Sequence, residues 1–87
     1  MSVKDPLGMD AFERSELAIA VIAAVLGRNL HQLLHEECKA EPDVAALKEL
    51  HSKESQYLKE QREIYRGNVE VQKRVIQDYP KLLVDNE

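Results

Sequence analysis

Residues 17–26 read LAIAVIAAVL, an unbroken apolar run in a chain of 87 residues. A helix that crosses a bilayer needs about 20 such residues. The run is much shorter, so it predicts a buried helix segment and no membrane span. Good helix formers continue on both sides of it, which makes it the centre of a long helix. The rest of the fold is inferred outward from this segment.

The first helix has a clear predicted beginning and end. Asp10 is an N-cap candidate, and Glu13 completes the capping-box spacing. Helix formers then continue to about Cys38, with Gly27 as a tolerated interruption. Residues 1–9 contain Pro6 and lack periodicity, so they are expected to be a flexible leader.

A second helix is predicted after a turn at residues 39–42. Pro42 suits the first helical turn, where its missing N–H costs nothing. The pattern continues to about Tyr79, because Pro80 disfavours helix for the residue before it. Residues 80–87 then form a C-terminal tail. Gly67 and Asn68 are the weak point, and the sequence does not decide whether the helix continues through them.

Apolar residues recur every seven positions in both helices, a coiled-coil-like seam. The seam residues are Phe12, Ile19, Leu26 and Leu33 in the first helix and Leu50, Tyr57, Ile64 and Val71 in the second. Pairing them centres the turn between residues 41 and 42. The sequence therefore predicts an all-α fold, with an antiparallel helical hairpin of two long helices over residues 10–79.

The first helix is also apolar away from this seam. Leu17, Val21 and Ala24 lie on the opposite side, and Val25 lies on the flank. One partner helix does not cover every side of such a segment, so these four residues are expected to form a self-association or partner interface. The expected assembly is a homodimer, a four-helix bundle of two hairpins.

Composition narrows the class of partner. Apolar residues make up 44% of the chain and charged ones 32%, with a formal net charge of −4. Duplex DNA binding needs concentrated positive charge, so a protein partner is favoured. Residues 48–66, KELHSKESQYLKEQREIYR, place Tyr57 and Tyr65 among bases, which is compatible with an RNA-binding hairpin dimer. Acids such as Glu60 and Glu63 alternate with those bases, which favours a solvated, ion-paired face.

Three potential metal ligands share one face near the end of the first helix. His31, His35 and Cys38 are spaced i, i+4 and i+7. They lack an evident fourth ligand, so exposed polar side chains are the favoured interpretation and no cofactor is expected. Catalytic motifs are also missing from the sequence, which predicts a protein that is not an enzyme. The single cysteine and the lack of a secretory signal pattern favour the cytosol.

Part of the second helix resembles the polymerising helix of type III secretion needle subunits. The residues concerned are Pro42, Leu50, Ser52, Lys53, Ser55 and Tyr57. The resemblance covers a short part of the chain, and the apolar run at 17–26 departs from the usually polar first helix of that family. It implies, as an alternative, a polymerising or chaperone component of a bacterial secretion system.

The leading hypothesis is a small helical regulator or adaptor that acts by protein–protein interaction. A chaperone, an antitoxin or an anti-activator would fit this description. Its partners would be itself and another, unidentified protein. Accessory partner contacts are expected from Tyr65 and from Leu82, Leu83 and Val84 in the tail.

Overall fold

The computed structural model describes residues 8–84, and this part of the chain is all-helical as predicted. It contains helix α1 (Ala11–Glu37), helix α2 (Val44–Tyr65), helix α3 (Val69–Asp78) and a C-terminal 3₁₀ helix (Pro80–Leu83). The return limb therefore consists of two helices and a short 3₁₀ turn. The sequence left open whether the second helix continues through Gly67 and Asn68, and in the structure it breaks there.

Helix α1 begins with the predicted capping box. The Asp10 carboxylate accepts the Glu13 N–H at 2.8 Å, and the Glu13 carboxylate accepts the Asp10 N–H at 3.1 Å. The two contacts satisfy N–H groups that have no partner inside the helix. Cys38 caps the other end, close to the predicted boundary.

The connection between α1 and α2 is held by two carboxylates. Asp43 caps α2 by accepting the N–H groups of Ala45 and Ala46 at 3.0 and 3.2 Å. Pro42 therefore precedes the helix and does not lie in its first turn, which corrects the predicted boundary. The buried Glu36 side chain accepts the Asp43 N–H at 2.9 Å. This bond, with the Lys39 ammonium at 3.0 Å, lowers the pKa of Glu36.

Helix α2 ends where the sequence was ambiguous. Gly67 has φ +88°, a left-handed conformation that glycine adopts without strain. Its N–H donates to the carbonyl of Ile64, and the Asn68 N–H donates to that of Glu63, the two bonds of a Schellman motif. The Asn68 side chain then caps α3 by accepting the Val71 N–H at 3.2 Å. One glycine–asparagine pair thus ends one helix and starts the next.

Side-chain hydrogen bonds fix how the return limb lies along α1. The Asn29 amide donates to the carbonyl of Leu50 at 3.0 Å, and the Arg14 guanidinium donates to the side chain of Gln72 at 2.9 Å. Gln72, which is buried, also donates to the carbonyl of Ile64 at 3.1 Å. The contact from α2 meets the C-terminal half of α1, and the contact from α3 meets its N-terminal end. Helices α2 and α3 therefore run back along α1.

The apolar core lies between α1 and both return helices. Its buried members are Ala18, Val21, Ile22 and Val25 of α1, Ile64 of α2, and Val71 and Val75 of α3. Val21 and Val25 are only 8% and 3% exposed. Since α2, α3 and the 3₁₀ helix belong to the same chain, these two valines are covered without a second subunit. Their assignment to a partner interface is therefore corrected.

The predicted seam on α1 holds at one end only. Leu33 is buried, Leu26 and Ile19 are half-buried, and Phe12 is 70% exposed. A straight α-helix turns by about 20° for every seven residues, so a line of residues seven apart leaves the packing face. On the return limb, Ile64 and Val71 are buried as predicted, whereas Leu50 and Tyr57 are half-buried. Phe12 is thus wrongly placed in the seam.

Candidate interaction surface on α1

The side of α1 opposite the core is apolar and faces solvent. We call it the outer face. Its members are Leu17, Ala20, Ala23, Ala24, Gly27, Leu30 and Leu34, all exposed. Leu17 and Ala24 were predicted as interface residues, and both lie here. An α-helix has 3.6 residues per turn, so the core positions recur on one side of α1 and the positions between them lie on the other side.

Small residues form the centre of the outer face. Ala20 is three residues before Ala23 and four before Ala24, and Gly27 follows them by four and three, so they lie on adjacent turns of one helix surface. Leu17 stands before them, and Leu30 and Leu34 stand after them. The result is a shallow apolar strip with larger side chains at both ends.

Gly27 is not required by the packing within the described part of the chain. A Cβ atom placed on it would meet nothing within 4 Å, and its φ is not in the left-handed region. Glycine in a helix interior is about 1 kcal/mol less favourable than alanine. Its presence leaves a bare stretch of backbone at the centre of the outer face, where another helix can approach closely.

Helix α1 also passes a length-and-composition test for crossing a membrane. About a third of its most apolar stretch is buried in the fold. The same stretch carries Asn29, whose side chain is buried in a hydrogen bond to α2. A core helix with one uncovered apolar face gives this composition too.

The three potential metal ligands lie at the exposed end of α1. His31, His35 and Cys38 are all accessible to solvent. Among residues 8–84, no group of three or more histidine, cysteine or acidic side chains is placed to hold a metal ion. The geometry of the described chain gives the metal hypothesis no support.

A buried polar cluster on the return limb was missed by the sequence reasoning. Glu60 is 3% exposed, although it was predicted to belong to a solvated face. Its carboxylate accepts the Tyr79 hydroxyl at 2.5 Å and the Arg74 guanidinium at 2.7 Å. The Tyr79 ring packs edge-on against Tyr57, with ring centroids 5.6 Å apart. Burial, and secondarily the bond to Glu60, raises the pKa of Tyr79.

The cluster joins α2, α3 and the start of the 3₁₀ helix. Glu60 and Tyr79 are 19 positions apart and meet only because the chain turns at residues 66–68. The sequence signal for it is weak, since an acid between Lys59 and Gln61 resembles any surface position.

The accessory residues lie at the surface. Tyr65 is well exposed at the end of α2, and Leu82, Leu83 and Val84 are partly exposed in and after the 3₁₀ helix. Leu82 also lines a cavity of about 170 Å³ between α1, α2 and the 3₁₀ helix. The structure thus separates Tyr65 from the tail residues and brings Leu82 next to α1.

Comparison with family models, with curated proteins and with solved structures finds no match to this chain.

Proposed function

We propose that this protein is a small non-enzymatic regulator or adaptor of the cytosol whose outer face on α1 docks another helix, first of all α1 of a second copy. The observation that supports this most is the exposed strip of small residues with Gly27 at its centre. Apolar surface contributes about 25 cal/mol per Å² when it leaves water. A face of this kind is therefore favourable to cover.

A helix is the occupant that fits the shape of the strip. The face extends from Leu17 to Leu34, about 26 Å at 1.5 Å per residue. Alanine and glycine allow two helix axes to come to the short end of the usual 8–10 Å separation. A second α1 supplies the same strip and the same flanking leucines, which is how a two-fold interface matches itself.

Side-chain register and the helix dipoles favour an antiparallel pair. With Ala24 of one copy opposite Gly27 of the other, Leu17 meets Leu34 and Glu16 meets His35. Glu16 and His35 are both exposed. The antiparallel arrangement also places the positive end of each helix dipole near the negative end of the other. Two copies of α1 with their α2 partners would make a four-helix arrangement flanked by α3.

The surfaces outside this dimer are the ones offered to another protein. Tyr65 and the partly exposed tail residue Val84 lie away from α1's outer face in sequence and are accessible. Aromatic and aliphatic side chains of this kind are typical anchors in protein interfaces. In this proposal self-association builds the scaffold, and the return limb carries the contacts to a different partner.

The test is the solution mass across micromolar concentrations, by sedimentation, for the natural chain, Ala24→Glu and Ala45→Glu. Ala45 is an exposed alanine in the first turn of α2, so it is the matched control. A dimer that Ala24→Glu converts to a folded monomer and Ala45→Glu leaves intact supports the proposal. A monomer in all three would overturn it.

Two other outcomes would point to a different function. Fibres that grow with concentration would favour a polymerising secretion subunit. Co-sedimentation with neutral lipid vesicles, lost in Ala24→Glu and retained in Ala45→Glu, would assign the outer face to a membrane surface and contradict the helix-docking proposal.

A further inference from the structure

The cavity beside the 3₁₀ helix is distinct from the outer face of α1. It measures about 170 Å³, whereas one water molecule needs roughly 15 Å³ of such space. Three elements line it as an open cavity: α1 contributes Val25 and Asn29, α2 contributes Tyr57, and the 3₁₀ helix contributes Leu82. Val25 and Asn29 are buried and form its inner wall. The space accommodates a chemical group larger than water.

The lining is positively charged although the chain is acidic. Its two ionisable side chains of fixed charge are Arg28 of α1 and Lys53 of α2, and within residues 8–84 no carboxylate lines the cavity. The whole chain has 16 acidic residues against 12 basic ones. Two cations facing one cavity are therefore an exception to the overall charge, and they favour an anionic ligand.

Neither cation is strongly engaged elsewhere. Arg28 is half-buried and has no hydrogen-bonded or ion-pair partner within residues 8–84. Lys53 is 3.3 Å from Glu49 one turn earlier, but both side chains are at least half exposed. An exposed pair of this kind contributes little and is screened by salt. Both cations are thus available to a ligand.

The remaining lining selects among anions. Tyr57 and Gln32 offer a hydroxyl and an amide as hydrogen-bond donors, while Val25 and Leu82 are apolar. Tyr57 is held in place by its edge contact with Tyr79. Arginine binds a planar carboxylate through two parallel bonds. An anion that also carries a short apolar stem uses both halves of the lining.

We propose that this cavity binds the carboxylate of a small amphipathic ligand, with Arg28 and Lys53 on the carboxylate and Val25 and Leu82 on the stem. The ligand bridges α1, α2 and the 3₁₀ helix, so its binding fixes the C-terminal segment against the helices. The carboxylate belongs either to a free short-chain acid or to the C-terminus of a peptide, and the two sources are separated by experiment.

The test is calorimetric titration at pH 7 and low salt with sodium hexanoate, acetate and inorganic phosphate. A second pair of probes is acetyl-Ala-Ala-Leu with a free C-terminal carboxylate and its amide. We expect saturable one-to-one binding of hexanoate or of the free peptide, with the stem adding affinity over acetate. Hexanoate binding identifies a free acid, and binding of the peptide alone identifies a peptide terminus.

Variants assign the binding to this cavity. Arg28→Gln is expected to weaken binding about tenfold, as loss of a two-bond charged contact does. Lys53→Gln weakens it less, and Leu82→Ala weakens hexanoate while sparing acetate. Lys48→Gln, an exposed position on α2, is the charge-matched control and leaves binding unchanged. Circular dichroism verifies that each variant is folded.

Three results would overturn the proposal. They are no saturable binding of either carboxylate probe, Arg28→Gln binding as tightly as the natural chain, and phosphate binding more tightly than hexanoate. Neither Arg28 nor Lys53 is one of the outer-face residues, so the proposal does not rest on dimerisation.

Discussion

The two sides of α1 are both apolar, yet the fold uses them differently. The inner side carries branched residues such as Ile22 and Val25, which pack against α2 and α3, and the buried polar residue Asn29, which is hydrogen-bonded. The outer side carries alanines and Gly27 and has no such partner within residues 8–84. Hydrophobicity alone therefore does not identify an interface, whereas side-chain size and coverage do.

The largest expected difference between the two sides is in core stability. Ile22→Ala should lower the free energy of unfolding by about 3 kcal/mol, because it leaves a cavity among packed side chains. Leu30→Ala, which removes a similar volume from a residue that is 47% exposed, should cost less than about 1 kcal/mol. Urea unfolding at low protein concentration measures both. Equal losses would show that the outer side is also covered in the monomer.

The Glu60 cluster gives the next largest effect. Tyr79→Phe removes a hydrogen bond to a buried carboxylate and should cost about 2 kcal/mol at pH 7. The raised pKa of Tyr79 adds a pH dependence: the unfolded tyrosine ionises first, near pH 10, so stability falls as pH rises above that value. Between pH 8 and pH 11, the free energy of unfolding should fall more steeply for the natural chain than for Tyr79→Phe. Parallel declines would contradict the assignment.

The break between α2 and α3 depends on a single backbone conformation. Gly67→Ala places a Cβ at φ +88° and should cost about 1 kcal/mol. Thermal unfolding with Gly8→Ala as a control distinguishes the break from the other left-handed glycine, which lies outside the helices. A stabilised Gly67→Ala would mean that α2 prefers to continue as one helix.

Gly27→Ala should give the smallest change in the stability of the monomer. Its expected effects on the monomer and on the dimer are opposite. It should stabilise the isolated chain by up to about 1 kcal/mol, because alanine favours a helix and the added Cβ meets open space. In the proposed dimer the same Cβ separates the helices, so the dissociation constant should rise. Higher stability together with an unchanged or lower dissociation constant would show that no helix approaches Gly27.

Local features of this fold were predictable from the sequence, while those that depend on distant contacts were not. The Asp10 capping box is written in four consecutive residues, and the structure confirms it. The Gly67–Asn68 break was visible as a weak point, but helices tolerate a glycine, so its outcome depends on whether α3 finds a partner. That partner is the Val21 side of α1. The sequence periodicity did not predict which element packs against this side.

The candidate sites show the same division. Leu17 and Ala24 were recognisable as apolar positions off the seam. Val21 and Val25 are apolar positions off the seam too, yet they lie in the core. The burial of Glu60 and the approach of Leu82 to α1 both follow from the turn at residues 66–68. They could be inferred only after that turn was known.

The most direct test of the outer face is disulfide trapping in a Cys38→Ala background, which removes the exposed native thiol. Ala24→Cys places a new thiol on the outer face, and Ala45→Cys places one at an equally exposed position on α2. Under mild oxidation at micromolar concentration, the outer-face thiol should form a covalent dimer rapidly and nearly completely, and the control should not. Equal, slow cross-linking of the two variants would contradict the account.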